Sequence, residues 1–271
     1  MVESASPHIH VEHDGSVAVV TIDRPDRLNA YSPPMAAAIA DLCYDLDHDS
    51  DVRAAVIQGA GERAFCAGMD IETYLELSDE EGVGSIETLL ESTRNTHRFV
   101  TALREVELPI VAAVSGYAYG GGMDLALACD FRIVGAEAKL AQQYVKVGLV
   151  PDAGAYLLPR LIGEARAKEL IMTGDPIDAE RAVELGLARE HIEGDADDVR
   201  EAARAFASDL ADGPTVAIGT AKGMVNESFE VSLETALAHA IDGERTCHST
   251  RDHHEAIQAF DAGRDPEFAG E

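Results

Sequence analysis

Short apolar runs alternate with longer amphipathic stretches over the first two thirds of the chain. The runs at 16–22, 53–59, 109–116 and 131–136 are bounded by glycine, proline or charged residues, as strands are. The last two are nearly continuous apolar runs, which is typical of strands covered on both faces. Between them, the stretches at 33–48 and 85–106 read as helices. This alternation predicts an α/β architecture.

The pattern changes after about residue 195. Three stretches, 195–212, 214–229 and 232–260, have helical character, and no convincing strand follows. A segment of about 75 residues is small for an independent fold. We therefore divide the chain into a catalytic core, 1–195, and a C-terminal helical region, 196–271, which packs on the core or on a neighbouring subunit.

The chain is strongly acidic, with 50 Asp and Glu against 21 Lys and Arg and a net charge of -29. Such a charge repels nucleic acids and anionic membranes, so neither is an expected partner. With only four lysines, the composition favours adaptation to high salt over an ordinary acidic protein. The N-terminus does not resemble a signal peptide and no apolar run is long enough to cross a membrane, so we expect a cytoplasmic location.

The histidines and cysteines give little indication of a metal site. His8, His10 and His13 alternate along one stretch, which fits metal binding but fits an exposed edge strand better. The four cysteines are scattered, with no CxxC spacing, and are expected to be free and mostly buried. We expect neither a bound metal nor a disulfide framework.

Two glycine-rich turns are candidates for chemistry. "AFCAGMD" at 64–70 follows a predicted strand, and "VSGYAYGGGMDLALACD" at 114–130 leads from a strand through three glycines into a helix. Backbone N–H groups at a helix N-terminus have no intrahelical partner and can stabilise an oxyanion. The alternative is a tight turn with close helix–strand packing. Neither turn has the dinucleotide or P-loop spacing.

Six segments, taken in order, resemble the crotonase (enoyl-CoA hydratase/isomerase) superfamily from about residue 16 to residue 268. They are "RPDRLNAYS", "AFCAGMDI", "AAVSGYAYGGGMDLALACD", "KVGLVPDAGAYLLPRLIG", "AKELIMTGDPIDAERAVELGLARE" and "EAIQAFDAGRDPEF". The resemblance implies a crotonase-like spiral core of ββα units, with a C-terminal helical region that builds a trimer or a dimer of trimers. It also implies an acyl-CoA thioester substrate, with coenzyme A as part of the substrate and no separate cofactor.

The resemblance also implies roles for residues in the matching motifs. The backbone N–H groups of Met69 and Gly121 would hold the thioester oxygen. The residues implied to border the CoA arm are Ala67, Asp70 and Ile71, and those implied near its nucleotide end are Arg27 and Phe260.

The acid/base group is the main departure from the hydratase pattern. Hydratases of the family usually carry two glutamates, and the matching positions here hold Asp124 and Tyr144. A phenol with an ordinary pKa near 10 is a poor base at neutral pH. Asp152 instead matches an aspartate of two isomerase branches, the dienoyl-CoA isomerases and the ring-epoxide isomerases of phenylacetate breakdown, and the second branch is the better match.

Each candidate also has a purely structural interpretation. Asp152 precedes a predicted helix and is a good N-cap, Asp124 favours the dipole in the first turn of its helix, and Tyr144 is a packed aromatic that shapes the acyl pocket. With the motifs in register, we interpret Asp152 as the proton carrier and leave the role of Asp124 open.

The sequence thus predicts an enzyme that stabilises a thioester enolate, an enoyl-CoA isomerase or hydratase of fatty-acid or aromatic-acid breakdown with Asp152 as acid/base. The main alternative is a 2-enoyl-CoA hydratase using Asp124. Lower alternatives are an aryl-CoA dehalogenase with a nucleophilic aspartate and a non-catalytic CoA-binding subunit. Some superfamily members bind RNA through a lysine-rich helix, but the matching segment here, 78–92, is acidic.

Overall fold

The computed structural model describes residues 4–72 and 86–271. Its strands form two sheets. The first sheet contains, in spatial order, β1 (Ile9–Asp14), β2 (Val17–Ile22), β3 (Ala54–Gly59), β5 (Ile110–Val114), β7 (Phe131–Gly135) and β10 (Glu190–Ile192). The second contains β4 (Ala64–Cys66), β6 (Tyr117–Tyr119), β8 (Lys139–Ala141) and β9 (Ile177–Asp178). Most of the segment compared with RNA-binding helices, 78–92, lies outside the described residues.

Ten helices are described alongside the sheets in the residues that the structure covers. They are α1 (Pro33–Asp47), α2 (Ile86–Glu105), α3 (Gly121–Ala128), α4 (Gly154–Ile162), α5 (Glu164–Thr173), α6 (Ala179–Glu184), α7 (Ala196–Ala211), α8 (Thr215–Glu227), α9 (Leu233–His248) and α10 (Arg251–Ala262). Short 3₁₀ turns lie at Pro25–Arg27 and Gln143–Val147. The α/β architecture is therefore confirmed.

Four strands of the first sheet lie where the apolar runs predicted them, while the short strand β10 was not predicted. β2, β3, β5 and β7 run parallel to one another, while β1 is an edge strand antiparallel to β2, as expected for the histidine-containing segment. All residues of β3 and β5 are buried, because helices cover both faces of the sheet.

The second sheet was not predicted, because strands of two or three residues are too short to show a period. β4, β6 and β8 each follow a strand of the first sheet, and they pair side by side in that order. Because these short strands are neighbours in the second sheet, the chain segments that follow them lie at the same edge of that sheet. The two glycine-rich turns are two of those segments.

The C-terminal region is helical in the part of the chain that the structure describes, as predicted. α7 covers one face of the first sheet, where Val199, Ala203 and Ala207 pack among Val19 and Val56. The division at residue 195 stays a prediction, and this contact shows that at least α7 shares a hydrophobic cluster with the sheet.

A largely buried ion pair holds α8 against the sheet. The Lys222 ammonium lies 2.9 Å from the Asp130 carboxylate and donates to the Leu108 carbonyl at 2.8 Å. Cys43, Cys66 and Cys129 are buried and free, as expected, and Cys247 is half-buried. Among the described residues, no helix is both long and apolar enough to cross a membrane.

Candidate active site

The two glycine-rich turns contact each other because β4 and β6 are paired strands. Gly68 has a φ of +93°, a conformation that favours glycine. A Cβ added there would lie 2.8 Å from the Tyr119 carbonyl oxygen and 3.2 Å from the Gly121 nitrogen. The absence of a side chain at Gly68 therefore lets the loop before Met69 approach the N-terminus of α3.

Met69 and Gly121, the two predicted oxyanion donors, line one cavity of about 210 Å³. We call it the inner cavity. Its other lining residues are Tyr31, Leu90, Thr93, Thr96, Tyr144, Leu149, Val150 and Asp152. The structure thus brings the predicted donors, Tyr144 and Asp152 to one place.

Helix α3 is completely buried and fixed at its C-terminal end. The Arg132 guanidinium donates to the Ala126 carbonyl at 3.1 Å and to the Cys129 carbonyl at 2.7 Å, so these carbonyl groups near the helix end have partners. At the other end, the helix begins at Gly121, where the dipole is positive and amides lack intrahelical partners. A rigid helix with this orientation suits a developing negative charge.

Asp124 lies inside the protein and is held by hydrogen bonds. Its side chain is 0% exposed and accepts from Gln142 Nε2 at 2.8 Å and from the Tyr144 hydroxyl at 2.7 Å. Burial raises its pKa to about 6, while hydrogen bonds from the Tyr144 and Gln142 side chains and from the Gly154 backbone N–H oppose that rise. Asp124 is not one of the residues that line the inner cavity.

Asp152 does not cap α4. That helix begins at Gly154 with Ala153 at its N-cap, and no side-chain cap is present. The first backbone N–H of the helix interacts with Asp124 instead. The N-cap interpretation of Asp152 is therefore wrong, because the helix starts two residues later and the carboxylate faces the inner cavity.

Two groups beside Asp152 influence its protonation. Burial raises its pKa, and His97 and the Tyr144 hydroxyl lower it. His97 Nε2 lies 3.5 Å from Asp152 Oδ1, and the two side chains are 57% and 23% exposed respectively. Asp152 is thus partly hydrated, with a partner on the solvent side.

Tyr31 is a site residue that the sequence analysis missed. Its backbone forms hydrogen bonds with the residues on either side of Met69. The Tyr31 N–H donates to the Gly68 carbonyl, and the Tyr31 carbonyl accepts from the Asp70 N–H. Its hydroxyl lies 3.2 Å from Thr96 Oγ1, and a Cβ added at Gly121 would overlap it. The aromatic residue in "NAYS" was visible, but nothing in the sequence indicated which cavity it reaches. His97 and Gln142 were missed for the same reason.

The residues implied for CoA binding are only partly brought together. Asp70 is buried and accepts from Arg24 at 2.8 Å and from Arg27 at 3.4 Å, directly after Met69. Ala67 and Ile71 belong to the same loop. Phe260 is 88% exposed on α10 and does not line the inner cavity.

Comparison with known proteins shows the family to which the chain belongs. Residues 12–271 match the family model described as enoyl-CoA hydratase/isomerase. The chain belongs to the enoyl-CoA hydratase/isomerase family. Its fold is the crotonase fold predicted from the six motifs, and its relatives are enzymes, which confirms the predicted class of protein.

Relatives in this family carry out different reactions. The chain is 34% identical to 1,2-epoxyphenylacetyl-CoA isomerase of Escherichia coli, over 96% of this chain and 97% of the relative. It is 33% identical to a short-chain-enoyl-CoA hydratase of Clostridium acetobutylicum, over 93% and 94%. A crystal structure of an enoyl-CoA hydratase from Bacillus anthracis superposes with a TM-score of 0.89 at 30% identity, over 97% and 100%. Family membership therefore implies an acyl-CoA substrate without choosing between isomerisation and hydration.

Proposed function

We propose that this protein is an enoyl-CoA isomerase that moves a carbon–carbon double bond between the 3,4 and 2,3 positions of an acyl-CoA. The observation that carries this proposal is the lining of the inner cavity. Among the described residues, Asp152 is the carboxylate that lines it together with Met69 and Gly121. A single carboxylate beside an oxyanion hole is sufficient for a 1,3-proton transfer, since this reaction requires no positioned water.

The proposed reaction begins with the thioester oxygen accepting hydrogen bonds from the Met69 and Gly121 backbone N–H groups. The Asp152 carboxylate removes a proton from C2, and the electrons of the broken C–H bond delocalise into a dienolate. The protonated Asp152 then returns a proton to C4, which gives the 2-enoyl-CoA. The two N–H groups stabilise the negative charge only while it exists, which is how an oxyanion hole lowers the barrier.

The surroundings of Asp152 support both halves of this transfer. Partial burial raises its pKa above that of an ordinary aspartate, which makes the carboxylate a stronger base. His97 and Tyr144 limit this rise in pKa, which favours the ionised form that acts as the base. Because the base must be ionised, turnover is lost as the pH falls through the pKa of Asp152.

The direct test replaces Asp152 with asparagine, which keeps the size of the side chain. With (Z)-3-hexenoyl-CoA as substrate, we expect kcat/KM for 2-enoyl-CoA formation to fall about 100- to 10,000-fold. Asp209→Asn, an exposed change on α7, is the matched control and should leave turnover unchanged. Turnover of Asp152→Asn at the wild-type rate would reject Asp152 as the base.

A 2-enoyl-CoA hydratase using Asp124 is the second candidate. It is favoured by the hydratases among the relatives and by the pKa of Asp124 near 6. Against it stand the complete burial of Asp124 and its hydrogen bonds to Tyr144 and Gln142. Hydration of crotonyl-CoA that survives Asp152→Asn and is lost in Asp124→Asn would support this second function.

We also propose that the chain assembles as a homotrimer or a dimer of trimers. The support is a set of exposed apolar side chains on and between α8 and α9, namely Val225, Phe229, Leu233, Leu237 and Ile241. Light scattering coupled to gel filtration should give three or six times the chain mass, and a monomer would contradict the proposal. High-salt adaptation and a cytoplasmic location stay predictions from the sequence.

A further inference from the structure

A second cavity lies on the solvent side of Asp152. This outer cavity, of about 650 Å³, lies between α2, the start of α4 and the end of α8. Asp152 is the one described residue that lines both the inner and the outer cavity. Its carboxylate therefore stands between the place where the acyl group would bind and a second, larger space.

The outer cavity is suited to hold water. Its ionisable lining groups beside Asp152 are His97, Arg104, Glu105, Tyr156, Glu227 and Glu230. Charged and polar walls of this kind provide the several hydrogen-bond partners that ordered water needs. The inner cavity differs, because Met69, Leu90, Leu149 and Val150 contribute much of its wall.

A proton on Asp152 has two ionisable neighbours that it can reach. The Tyr144 hydroxyl lies on the buried side of Asp152, where it already donates to the completely buried Asp124. Burial raises the pKa of Tyr144 well above the ordinary value. His97 leads outward, because its Nε2 lies 3.5 Å from Asp152 Oδ1 and its ring is more than half exposed. Tyr31, which also faces this region, is buried.

We propose that His97 exchanges the proton held by Asp152 with water in the outer cavity. The inference rests on the proposed role of Asp152 as acid/base. After Asp152 has removed the C2 proton, its carboxyl group gives that proton to the Nε2 lone pair of His97. The imidazolium releases a proton to water, and a solvent proton returns by the same route to Asp152. The proton delivered to C4 then comes from solvent in a fraction of turnovers, in competition with direct return.

Isotope incorporation measures this fraction without relying on the rate. Wild-type protein converts (Z)-3-hexenoyl-CoA in D₂O, and mass spectrometry with NMR gives the deuterium at C4 of the 2-hexenoyl-CoA. We expect substantial deuterium in the wild-type product and an at least about threefold lower fraction with His97→Gln, because a glutamine side chain cannot carry a proton between Asp152 and water. Adding imidazole to His97→Ala should restore incorporation.

The matched control is His191→Gln, because His191 also lies 3.5 Å from a carboxylate, that of Glu193, and is remote from both cavities. It should leave the deuterium fraction unchanged. Equal incorporation by wild type and His97→Gln would overturn the proposal, as would a wild-type product with essentially no deuterium at C4. Matching thermal unfolding curves would show that His97→Gln is folded.

A second probe separates failure of this inference from failure of the proposed isomerase. Exchange of the C2 hydrogens of butyryl-CoA with D₂O requires an enolate and a base but no isomerisation. If Asp152→Asn abolishes this exchange and His97→Gln slows it, the proton route stands even when no 3-enoyl-CoA is isomerised. If Asp152→Asn exchanges normally, the base assignment fails; if only His97→Gln exchanges normally, this inference alone fails.

Discussion

Asp124 and Asp152 share the Tyr144 hydroxyl as a neighbour, yet their surroundings differ in almost every other respect. Asp124 is fully buried on α3 and accepts from two side chains. Asp152 lies in the loop before α4, is partly exposed, faces the inner cavity and has His97 on its outer side. Burial raises the pKa of both carboxyl groups, but only Asp152 lines the inner cavity.

The difference shows that residue type and motif position do not decide the surroundings of a carboxylate. A group whose oxygens are taken by internal donors joins segments of the chain, and Asp124 joins α3 to the segment containing Gln142 and Tyr144. A group with a free approach and a hydrated partner can accept and release a proton. In the proposed reaction, α3 fixes the position of one oxyanion donor, and Asp152, in the loop before α4, transfers the proton.

The largest loss of turnover is expected from a change at the start of α3, where one oxyanion donor is proposed. Gly121→Ala would place a Cβ on the Tyr31 hydroxyl, so Tyr31 or the start of α3 must move. Loss of one oxyanion donor lowers kcat by about 100- to 1000-fold, and we expect a loss of this size for 3-enoyl-CoA turnover. Gly223→Ala on α8 is the control, because its Cβ would meet no atom of the described residues within 4 Å. Near-normal turnover by Gly121→Ala would show that α3 does not supply the donor.

The next largest effect concerns the two carboxylates and how each changes the dependence of the unfolding free energy on pH. The pKa of Asp124 is about 6 in the folded protein and near 4 in the unfolded chain, so folding favours its protonated form. This contribution is fully present below about pH 4 and is lost as the pH rises through 6. Between about pH 4.5 and pH 7.5 the wild type should lose about 2 kcal/mol of unfolding free energy relative to Asp124→Asn.

Urea unfolding at several pH values measures this difference. Asp152→Asn should change the slope of stability with pH in the same direction but by less, because Asp152 is more exposed. Asp209→Asn is the control and should leave the slope as it is. A larger change with Asp152→Asn than with Asp124→Asn would reverse the comparison of the two sites.

The smallest effect on activity is expected from removal of the Tyr144 hydroxyl, which neighbours both carboxylates. Tyr144→Phe removes a group that lowers the pKa of both Asp124 and Asp152. The acidic limb of the pH profile of kcat/KM should therefore move to higher pH by about half to one unit, with up to about a tenfold loss at fixed pH on that limb. Tyr117→Phe, at an exposed position of β6, should leave the limb in place. An unmoved limb in Tyr144→Phe would show that the hydroxyl does not act on Asp152.

The longer strands were predictable because each is long enough to show its apolar character. The run at 16–22 became Val17–Ile22 and the run at 53–59 became Ala54–Gly59. The second sheet was not predictable, since Ala64–Cys66 and Tyr117–Tyr119 acquire strand geometry only by pairing with each other. That pairing is nevertheless what brings the two glycine-rich turns into contact.

The sequence by itself determined the family, the order of the elements, the two glycine-rich turns and the short set of acidic candidates, because these depend on local pattern and on motifs in register. Only the tertiary structure decided that α4 begins at Gly154, that Asp124 is surrounded by donors, and that Asp152 faces the inner cavity beside His97. The physical reason is that hydration and hydrogen-bonding partners are set by contacts between segments far apart in the chain. Those contacts, more than the identity of an aspartate, determine what its carboxylate can do.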